Sequence, residues 1–316
     1  MIFDESTLHK LEQLTLVADQ VRVGVMKGDR RSRKRGSSVE FADYRNYTRG
    51  DDLRRLDWNV FARLERPFIK LLEEEEDLAV HLLVDASGSM DWPPHVAQAA
   101  SLRPPGNASL QAPHDHHKQT YALRLAAALG HVALSGGDRL TATLLTTSGD
   151  GLQRWGPFRG AQNSLRLFHF LESATTLTPT GGVTNLDVSL RAYALRGGRP
   201  GLLFLLSDML SPTYRDGLNA LQSRGYELVV LHILSPDEIR PPLSGDLKLV
   251  DVESGAEAEI SIDATALTAY DERLRAWQGE IAAFCSGRGA HYVPINTAMP
   301  WERLVLQTFR QRGIVT

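Results

Sequence analysis

The chain has little of what marks several common classes of protein. Its 316 residues include one cysteine, Cys285, which excludes an internal disulfide and a cysteine-cluster metal site. No apolar run approaches the ~18 residues that a membrane-spanning helix needs, and the polar, acidic first residues predict no signal peptide. The formal net charge of −3 argues against a polyanionic partner for the whole chain. These absences predict a cytoplasmic protein without a membrane span.

One basic run stands out against this composition. Five of the seven residues at positions 30–36 are arginine or lysine. A phosphate or nucleic-acid patch is one interpretation, but no aromatic residue interleaves the run and no nucleic-acid motif follows it. The acidic residues at 73–77 offer an opposite charge. We therefore expect a solvated loop and no nucleic-acid partner.

The most informative stretch is an apolar run, Leu78 to Val84, that stops at Asp85-Ala86-Ser87-Gly88-Ser89. The run predicts a buried strand of a parallel sheet, and such strands end at the edge where ligands bind. Residues two apart point the same way, so Asp85, Ser87 and Ser89 can converge. One carboxylate and two hydroxyls suit Mg²⁺ or Mn²⁺ better than Zn²⁺. Taken alone, the same pattern is also typical of an ordinary serine-rich turn.

Two later stretches favour the metal site. The glycine-rich segment 180–183 precedes Thr184 at the start of a predicted helix, and a second apolar run, 202–206, ends at Ser207-Asp208. The order D-x-S-x-S, Thr, strand-Asp resembles the metal-ion-dependent adhesion site of von Willebrand factor type A domains. That resemblance implies direct contacts to the ion from Asp85, Ser87 and Ser89, one from Thr184 in a liganded state, and a water-mediated contact from Asp208. It further implies that a partner protein supplies an Asp or Glu as the last ligand.

A second resemblance rests on residues 39–90. They contain E-F-x-D-Y-R-x-Y from Glu40, G-D-D-x-R-x-x-D-W from Gly50, and Ala62-Arg63, then an acidic run and D-x-S-x-S. The block from Glu40 to Arg63 suggests no chemistry by itself, but the pattern resembles the bacterial family called domain of unknown function fifty-eight. Members carry a von Willebrand A-like domain and are typically encoded beside MoxR-type AAA+ ATPases. The resemblance implies an adaptor or substrate-recognition partner of such an ATPase in protein maturation or remodelling.

The rest of the chain alternates apolar strand patterns with helical ones. This predicts an α/β fold with a doubly wound, mostly parallel sheet, von Willebrand factor A-like or Rossmann-like, over residues 78–316. Residues 1–77 are predicted to form a family-specific extension that begins with an amphipathic helix, since apolar residues recur at helical spacing from Leu8 to Val25. Segment 91–120 predicts a loop insertion beside the site, with solvated histidines at 114, 116 and 117, and 245–262 predicts a hairpin.

Signatures of catalysis are missing from the sequence. There is no G-x-S-x-G elbow and no G-x-x-x-x-G-K-[ST] loop, so neither an α/β serine hydrolase nor a P-loop ATPase is supported. A haloacid-dehalogenase-type enzyme needs a second aspartate where this chain has Ser87. We therefore predict a metal-dependent protein-interaction module and not an enzyme. A metal-dependent phosphoester hydrolase is the alternative.

Overall fold

The computed structural model describes ten stretches of the chain, and these form two compact units. One unit combines Met1–Gly24 with Leu78–Thr316, and the other is Val25–Asp77. The described residues are 3–18, 40–48, 56–64, 66–73, 78–93, 116–146, 152–174, 185–196, 198–250 and 257–316.

The larger unit is built on a six-stranded sheet. Across the sheet the strands are, in order, β10 (His291–Asn296), β7 (Glu227–Leu234), β6 (Leu202–Ser207), β3 (Ala79–Asp85), β4 (Arg139–Leu145) and β5 (Leu152–Arg159). All neighbours run parallel except β5, which pairs antiparallel with β4 at one edge. Together with the flanking helices, this confirms the predicted α/β fold with a doubly wound, mostly parallel sheet.

The central strands are buried on both faces. Every residue of β3, β6 and β7 is buried, as expected where helices cover both sides of a parallel sheet. Successive residues of β3 enter opposite layers of core: Leu82 and Val84 pack in one apolar cluster and Leu83 in the other. The strands that end at the candidate site are therefore packed against apolar core on both faces of the sheet.

Helices form the two outer layers. In α3, Lys118–Ser135, most residues are buried, and a Cβ added at Gly130 would clash with Leu167 Cδ2, so α3 and α4, Ser164–Ser173, pack closely there. Within the described ranges, none of the helices is long and apolar enough to cross a membrane. The helices of this unit are α1 Glu5–Glu12, α3 Lys118–Ser135, α4 Ser164–Ser173, α5 Leu186–Arg196, α6 Tyr214–Ser223, α7 Pro236–Ile239, α8 Ala264–Ser286, and the C-terminal turns Trp301–Arg303, Leu304–Thr308 and Phe309–Gln311.

The N-terminal segment differs from the prediction. Its helix ends at Glu12, and Leu16 instead forms a β-bridge with Val315. The backbones of Thr15 and Thr316 exchange two hydrogen bonds, of 3.1 and 2.9 Å. Beyond Glu12, the buried side chains have an apolar spacing that resembles that of a helix. The β-branched residues in this segment nevertheless favour extended pairing. Residues 3–18 therefore belong with the larger unit and not with a separate 1–77 extension; positions 19–25 lie outside the described residues.

The smaller unit contains a helix and a two-stranded sheet. Strand β1, Glu40–Asn46, pairs antiparallel with β2, Phe68–Glu73. The helix α2, Trp58–Leu64, begins directly after Asp57, whose Oδ1 accepts hydrogen bonds from the amides of Asn59 and Val60 at 2.9 and 3.2 Å. The last aspartate of the G-D-D-x-R-x-x-D-W motif, Asp57, is thus a helix N-cap. The basic run at 30–35 lies outside the described residues.

The predicted hairpin and the predicted loop insertion can both be compared with the structure. Strands β8, Gly245–Val250, and β9, Glu257–Ile262, form the predicted antiparallel hairpin. The predicted loop at 91–120 is three residues too long, because α3 begins at Lys118 and the His117 ring caps it by accepting from the Thr120 amide at 3.3 Å. His117 is buried and its Nε2 lies 3.0 Å from Asp91 Oδ1, so the prediction of a solvated histidine is wrong there. His114 lies outside the described residues, as do all of 94–115.

Candidate metal centre

Two adjacent strands bring the two candidate aspartates to one edge of the sheet. Strand β3 ends at Asp85, and its parallel neighbour β6 ends at Ser207, directly before Asp208. Parallel strands share their carboxyl-terminal edge, where ligands bind in open α/β sheets. Both carboxylates are buried, with 3% and 1% of their residue surface exposed. Residues 123 positions apart in the chain therefore meet at the same crevice.

The chain turns sharply after Asp85. The Ser87 amide donates to Asp85 Oδ1 at 3.0 Å, and a 3₁₀ turn, Gly88–Met90, follows. The Ser87 and Ser89 hydroxyl oxygens lie 3.0 Å apart. Met90 is fully buried and anchors the turn in the core. The D-x-S-x-S motif thus places one carboxylate and two hydroxyls in a single compact turn.

Ser207 is a member of the site that the sequence reasoning did not single out. Its hydroxyl donates to Asp85 Oδ2 at 2.6 Å and accepts from the Met209 amide at 3.0 Å. Met209 has a φ of 58°, a left-handed conformation that is uncommon for a residue with a side chain. The Leu210 amide then donates to Asp208 Oδ1 at 3.1 Å. These hydrogen bonds hold the turn after β6. In the sequence, the signal for Ser207 is a hydroxyl residue directly before a strand-end aspartate.

The electrostatics of this edge favour a cation. Burial, followed by the nearby charge of Asp208, raises the pKa of Asp85 to about 6, against hydrogen bonds from Ser207 and Ser87 that lower it. A positive ion lowers the free-energy cost of holding two buried carboxylates close together. The Ser87 and Ser89 hydroxyls lie in the same turn as Asp85 and could add two neutral oxygen donors. This oxygen donor set fits Mg²⁺ or Mn²⁺.

A lysine and a glutamate complete the charged groups beside Asp208. Lys118, the first residue of α3, has a fully buried side chain whose Nζ lies 2.8 Å from Asp208 Oδ2 and 2.6 Å from Glu238 Oε1. Burial lowers the pKa of Lys118, but the two carboxylates more than offset this and leave the pKa above its ordinary value. Glu238 is fixed in turn by a capping box with Ser235 at the start of α7. No sequence signal indicates this triad, because Lys118 lies in the segment 91–120 that is predicted to be a loop.

The remaining candidate ligand, Thr184, lies outside the described residues, together with the rest of 175–184. The helix after it begins at Leu186, close to where the sequence predicted it. The ends of the predicted loop insertion that are described lie at the same sheet edge, because the Lys118 amide donates to the Trp92 carbonyl at 2.8 Å. The structure thus brings together Asp85, Ser87, Ser89 and Asp208, four of the five predicted ligands.

Two mycobacterial relatives align with nearly the whole chain. The chain is 28% identical to the uncharacterized proteins Mb1516 of Mycobacterium bovis and Rv1480 of Mycobacterium tuberculosis, over 315 residues that cover 99% of this chain and 92% of each relative. The similarity therefore extends over nearly the whole chain, and the names of these relatives assign no function.

Solved structures also align with the chain at low sequence identity. An aerotolerance-related membrane protein from Bacteroides fragilis is 15% identical, with a TM-score of 0.40, and covers 75% of this chain and 98% of its own. The conserved hypothetical protein BatB from Bacteroides thetaiotaomicron is 12% identical, with a TM-score of 0.38, and covers 74% and 98%. The fold assignment rests on the sheet topology described above.

A family profile gives the firmest relationship. The profile described as "Protein of unknown function DUF58" matches residues 43–100 and 107–279. The matched residues include the D-x-S-x-S turn, the strand-end Asp208 and the lysine between them. They make up most of the chain, and the chain therefore belongs to the DUF58 family.

Proposed function

We propose that this chain is a metal-dependent protein-interaction module that binds Mg²⁺ or Mn²⁺ at the Asp85 edge of its sheet. The observation that carries the proposal is the meeting of Asp85, Ser87, Ser89 and Asp208 at the carboxyl ends of β3 and β6. Four oxygen-bearing side chains from two parts of the chain converge at an edge where α/β sheets bind ligands.

In this proposal Asp85, Ser87 and Ser89 hold the ion directly, and Thr184 joins them when a partner is bound. Asp208 acts through water, which its hydrogen bonds support, because one of its oxygens is engaged by Lys118 and the other by the Leu210 amide. Mg²⁺ prefers six oxygens and keeps waters among them. An exchangeable position on a positive ion suits an incoming carboxylate. The partner would therefore supply an Asp or Glu.

The proposed partner is a MoxR-type AAA+ ATPase, its client protein, or both. This follows from the family resemblance and not from a contact surface: members of the family are typically encoded beside such ATPases. An adaptor for an ATPase needs reversible, specific binding to a second protein, and a carboxylate that enters an ion's coordination shell offers both. We propose that this chain recognises a substrate or docks on the ATPase during protein maturation or remodelling.

The alternative, a metal-dependent phosphoester hydrolase, requires a general base within reach of a metal-bound water. Two described histidines near the edge each have one ring nitrogen in contact with another side chain. His232 is buried and its Nδ1 lies 2.7 Å from the Tyr292 hydroxyl, and His117 is buried against Asp91. Neither observation favours catalysis. Hydrolysis of p-nitrophenyl phosphate with Mn²⁺, lost in Asp85→Asn, would support the hydrolase instead.

The proposal is tested by the binding of the purified chain to the MoxR-type ATPase encoded nearest to its gene. Because EDTA also removes Mg²⁺ from the nucleotide of the ATPase, the decisive comparison is between wild type and Asp85→Asn in constant Mg²⁺. We expect Asp85→Asn to weaken the complex at least tenfold. The matched control, Asp246→Asn, alters an exposed aspartate of the β8–β9 hairpin and should leave binding unchanged. Equal binding by all three proteins would overturn the proposal.

A further inference from the structure

Lys118 is an unusual residue for its position. It is the first residue of α3, where the helix dipole disfavours a positive charge. Its side chain is fully buried, and taking an ammonium out of water is costly unless it is paired. The local sequence thus gives no reason for a lysine here. The reason lies in its two partners, Asp208 at 2.8 Å and Glu238 at 2.6 Å.

The two aspartates of the site consequently differ in charge balance. Asp208 is paired with a fixed ammonium before any ion arrives, and its second oxygen accepts from the Leu210 amide. The hydrogen bonds to Asp85 come from neutral donors, the Ser87 amide and the Ser207 hydroxyl. An ion at the D-x-S-x-S turn therefore meets one uncompensated carboxylate and one that is already neutralised.

Formal charges show what this arrangement does. A divalent ion with Asp85 leaves a charge of about +1 when Lys118 cancels Asp208, and about zero when Asp208 is not cancelled. Glu238 shares the ammonium, but its other oxygen accepts from the Ser235 amide at 2.8 Å. Its side chain is also 21% exposed, so water screens its charge more than that of the buried pair. Lys118 thus decides whether the bound ion stays electropositive.

We propose that Lys118 is a positioning residue that keeps the ion available to a partner carboxylate, weakening ion binding while strengthening partner binding. This inference rests on the proposed function and adds a specific electrostatic device to it. Lys118 never touches the partner. It acts by holding Asp208 as a neutral pair, so that the ion is not neutralised by the protein itself.

The test compares variants in which the charges around Asp208 are changed one at a time. Glu238→Gln removes the competing carboxylate, and Lys118→Met/Glu238→Gln removes the ammonium in the same background. Lys118→Arg keeps the charge. Mg²⁺ affinity is measured by calorimetry. Carboxylate affinity is measured on the Mn²⁺-loaded protein by water-proton relaxation, during titration with the blocked peptide Gly-Gly-Asp-Gly-Gly; the peptide with Asn in place of Asp is the control.

The two affinities should move in opposite directions. Relative to Glu238→Gln, the double variant should bind Mg²⁺ about tenfold more tightly and the Asp peptide at least fivefold more weakly. Lys118→Arg should match wild type. If the double variant fails to fold, Glu238→Gln alone still tests the inference. In this variant Lys118 pairs with Asp208 alone, so the protein should bind Mg²⁺ more weakly and the peptide more tightly than wild type.

The outcomes separate this inference from the function it builds on. Affinities that fall together, or that do not change, would overturn the role of Lys118 while leaving a metal-binding module in place. Wild-type protein that binds no Mg²⁺ would overturn the proposed function and the role of Lys118 with it.

Discussion

The Ser207 hydroxyl lies 2.6 Å from Asp85 Oδ2, across two neighbouring strands. Ser207 thereby connects the two halves of the candidate site, because it directly precedes Asp208 and also accepts from the amide of Met209. A hydroxyl that donates to a buried carboxylate favours its ionised form, and it does so without adding a charge that would repel a cation. Ser207 therefore prepares Asp85 for an ion while holding the turn that carries Asp208.

Ser207→Ala should weaken Mg²⁺ binding about fivefold to tenfold. A lost hydrogen bond of this kind is worth roughly 1 kcal/mol, and without it Asp85 is harder to keep ionised at this buried edge. Ser207→Thr retains the hydroxyl and is the matched control. Calorimetric titration at pH 7.5 measures all three proteins, and an alanine variant with the wild-type affinity would show that this contact is only structural.

The two aspartates should respond oppositely to neutralisation in metal-free protein. Asp85→Asn should be about 1–2 kcal/mol more stable than wild type, because burial and Asp208 raise the pKa of Asp85 to about 6, so its ionisation at pH 7.5 costs more free energy in the folded state than in the unfolded state. Asp208→Asn should be about 3 kcal/mol less stable, because it leaves the buried Lys118 ammonium without this partner. Urea unfolding in EDTA at pH 7.5 measures both. Equal destabilisation by the two changes would contradict this account of the charges.

His81 should contribute a specific loss of stability in acid. Burial lowers its pKa to about 4 from an ordinary 6.5, and its Nδ1 lies 2.7 Å from the Tyr193 hydroxyl. Since the folded state disfavours the protonated ring, stability is lost as pH falls through 6.5 towards 4, by about 2–3 kcal/mol. His81→Phe removes this titration but also removes the hydrogen bonds of the ring with the Tyr193 hydroxyl and the Arg199 carbonyl, at a cost of roughly 1–2 kcal/mol.

The free energies of unfolding of wild type and His81→Phe, plotted against pH, should therefore converge or cross between pH 7.5 and 4.5. His81→Phe should be the less stable protein at pH 7.5 and should lose less stability on acidification. His232, which is also buried with a pKa lowered to about 4, is present in both proteins and cancels. Parallel curves would show that His81 is not held neutral by the fold.

Leu14→Ala tests whether the N-terminal segment is part of the larger unit. Leu14 is 1% exposed within the same apolar cluster as the strands of the sheet. Truncation of a buried leucine costs about 2–5 kcal/mol. The matched control is Leu165→Ala in α4, where the leucine is 63% exposed and the cost should stay below about 0.5 kcal/mol. Equal costs would mean that the segment at 13–18 is not packed as described.

The strands could be predicted because their sequences carry a strong and local signal. The apolar run 202–206 predicts a strand that ends at Ser207-Asp208, and the strand in the structure is Leu202–Ser207. Parallel strands buried on both faces are near-continuous apolar sequences, so burial itself marks their ends. The strand ends in turn located Asp85 and Asp208, and alternation along the following turn located Ser87 and Ser89.

The charged support of the site could not be read in this way. Lys118 lies 90 residues from Asp208 and 120 from Glu238, and nothing in its local sequence points to either. The N-terminal helix was predicted too long for a related reason. The apolar spacing after Glu12 reflects pairing with Val315 near the other end of the chain, and that partner is invisible to a local pattern.

The most direct test of the central claim is a Mg²⁺ titration of wild type and Asp85→Asn by calorimetry at pH 7.5. Far-ultraviolet circular dichroism of both proteins controls for folding. We expect one Mg²⁺ per wild-type chain and a loss of affinity of at least a hundredfold in Asp85→Asn. Wild-type protein that binds no Mg²⁺, or an Asp85→Asn protein that binds it equally well, would contradict the account.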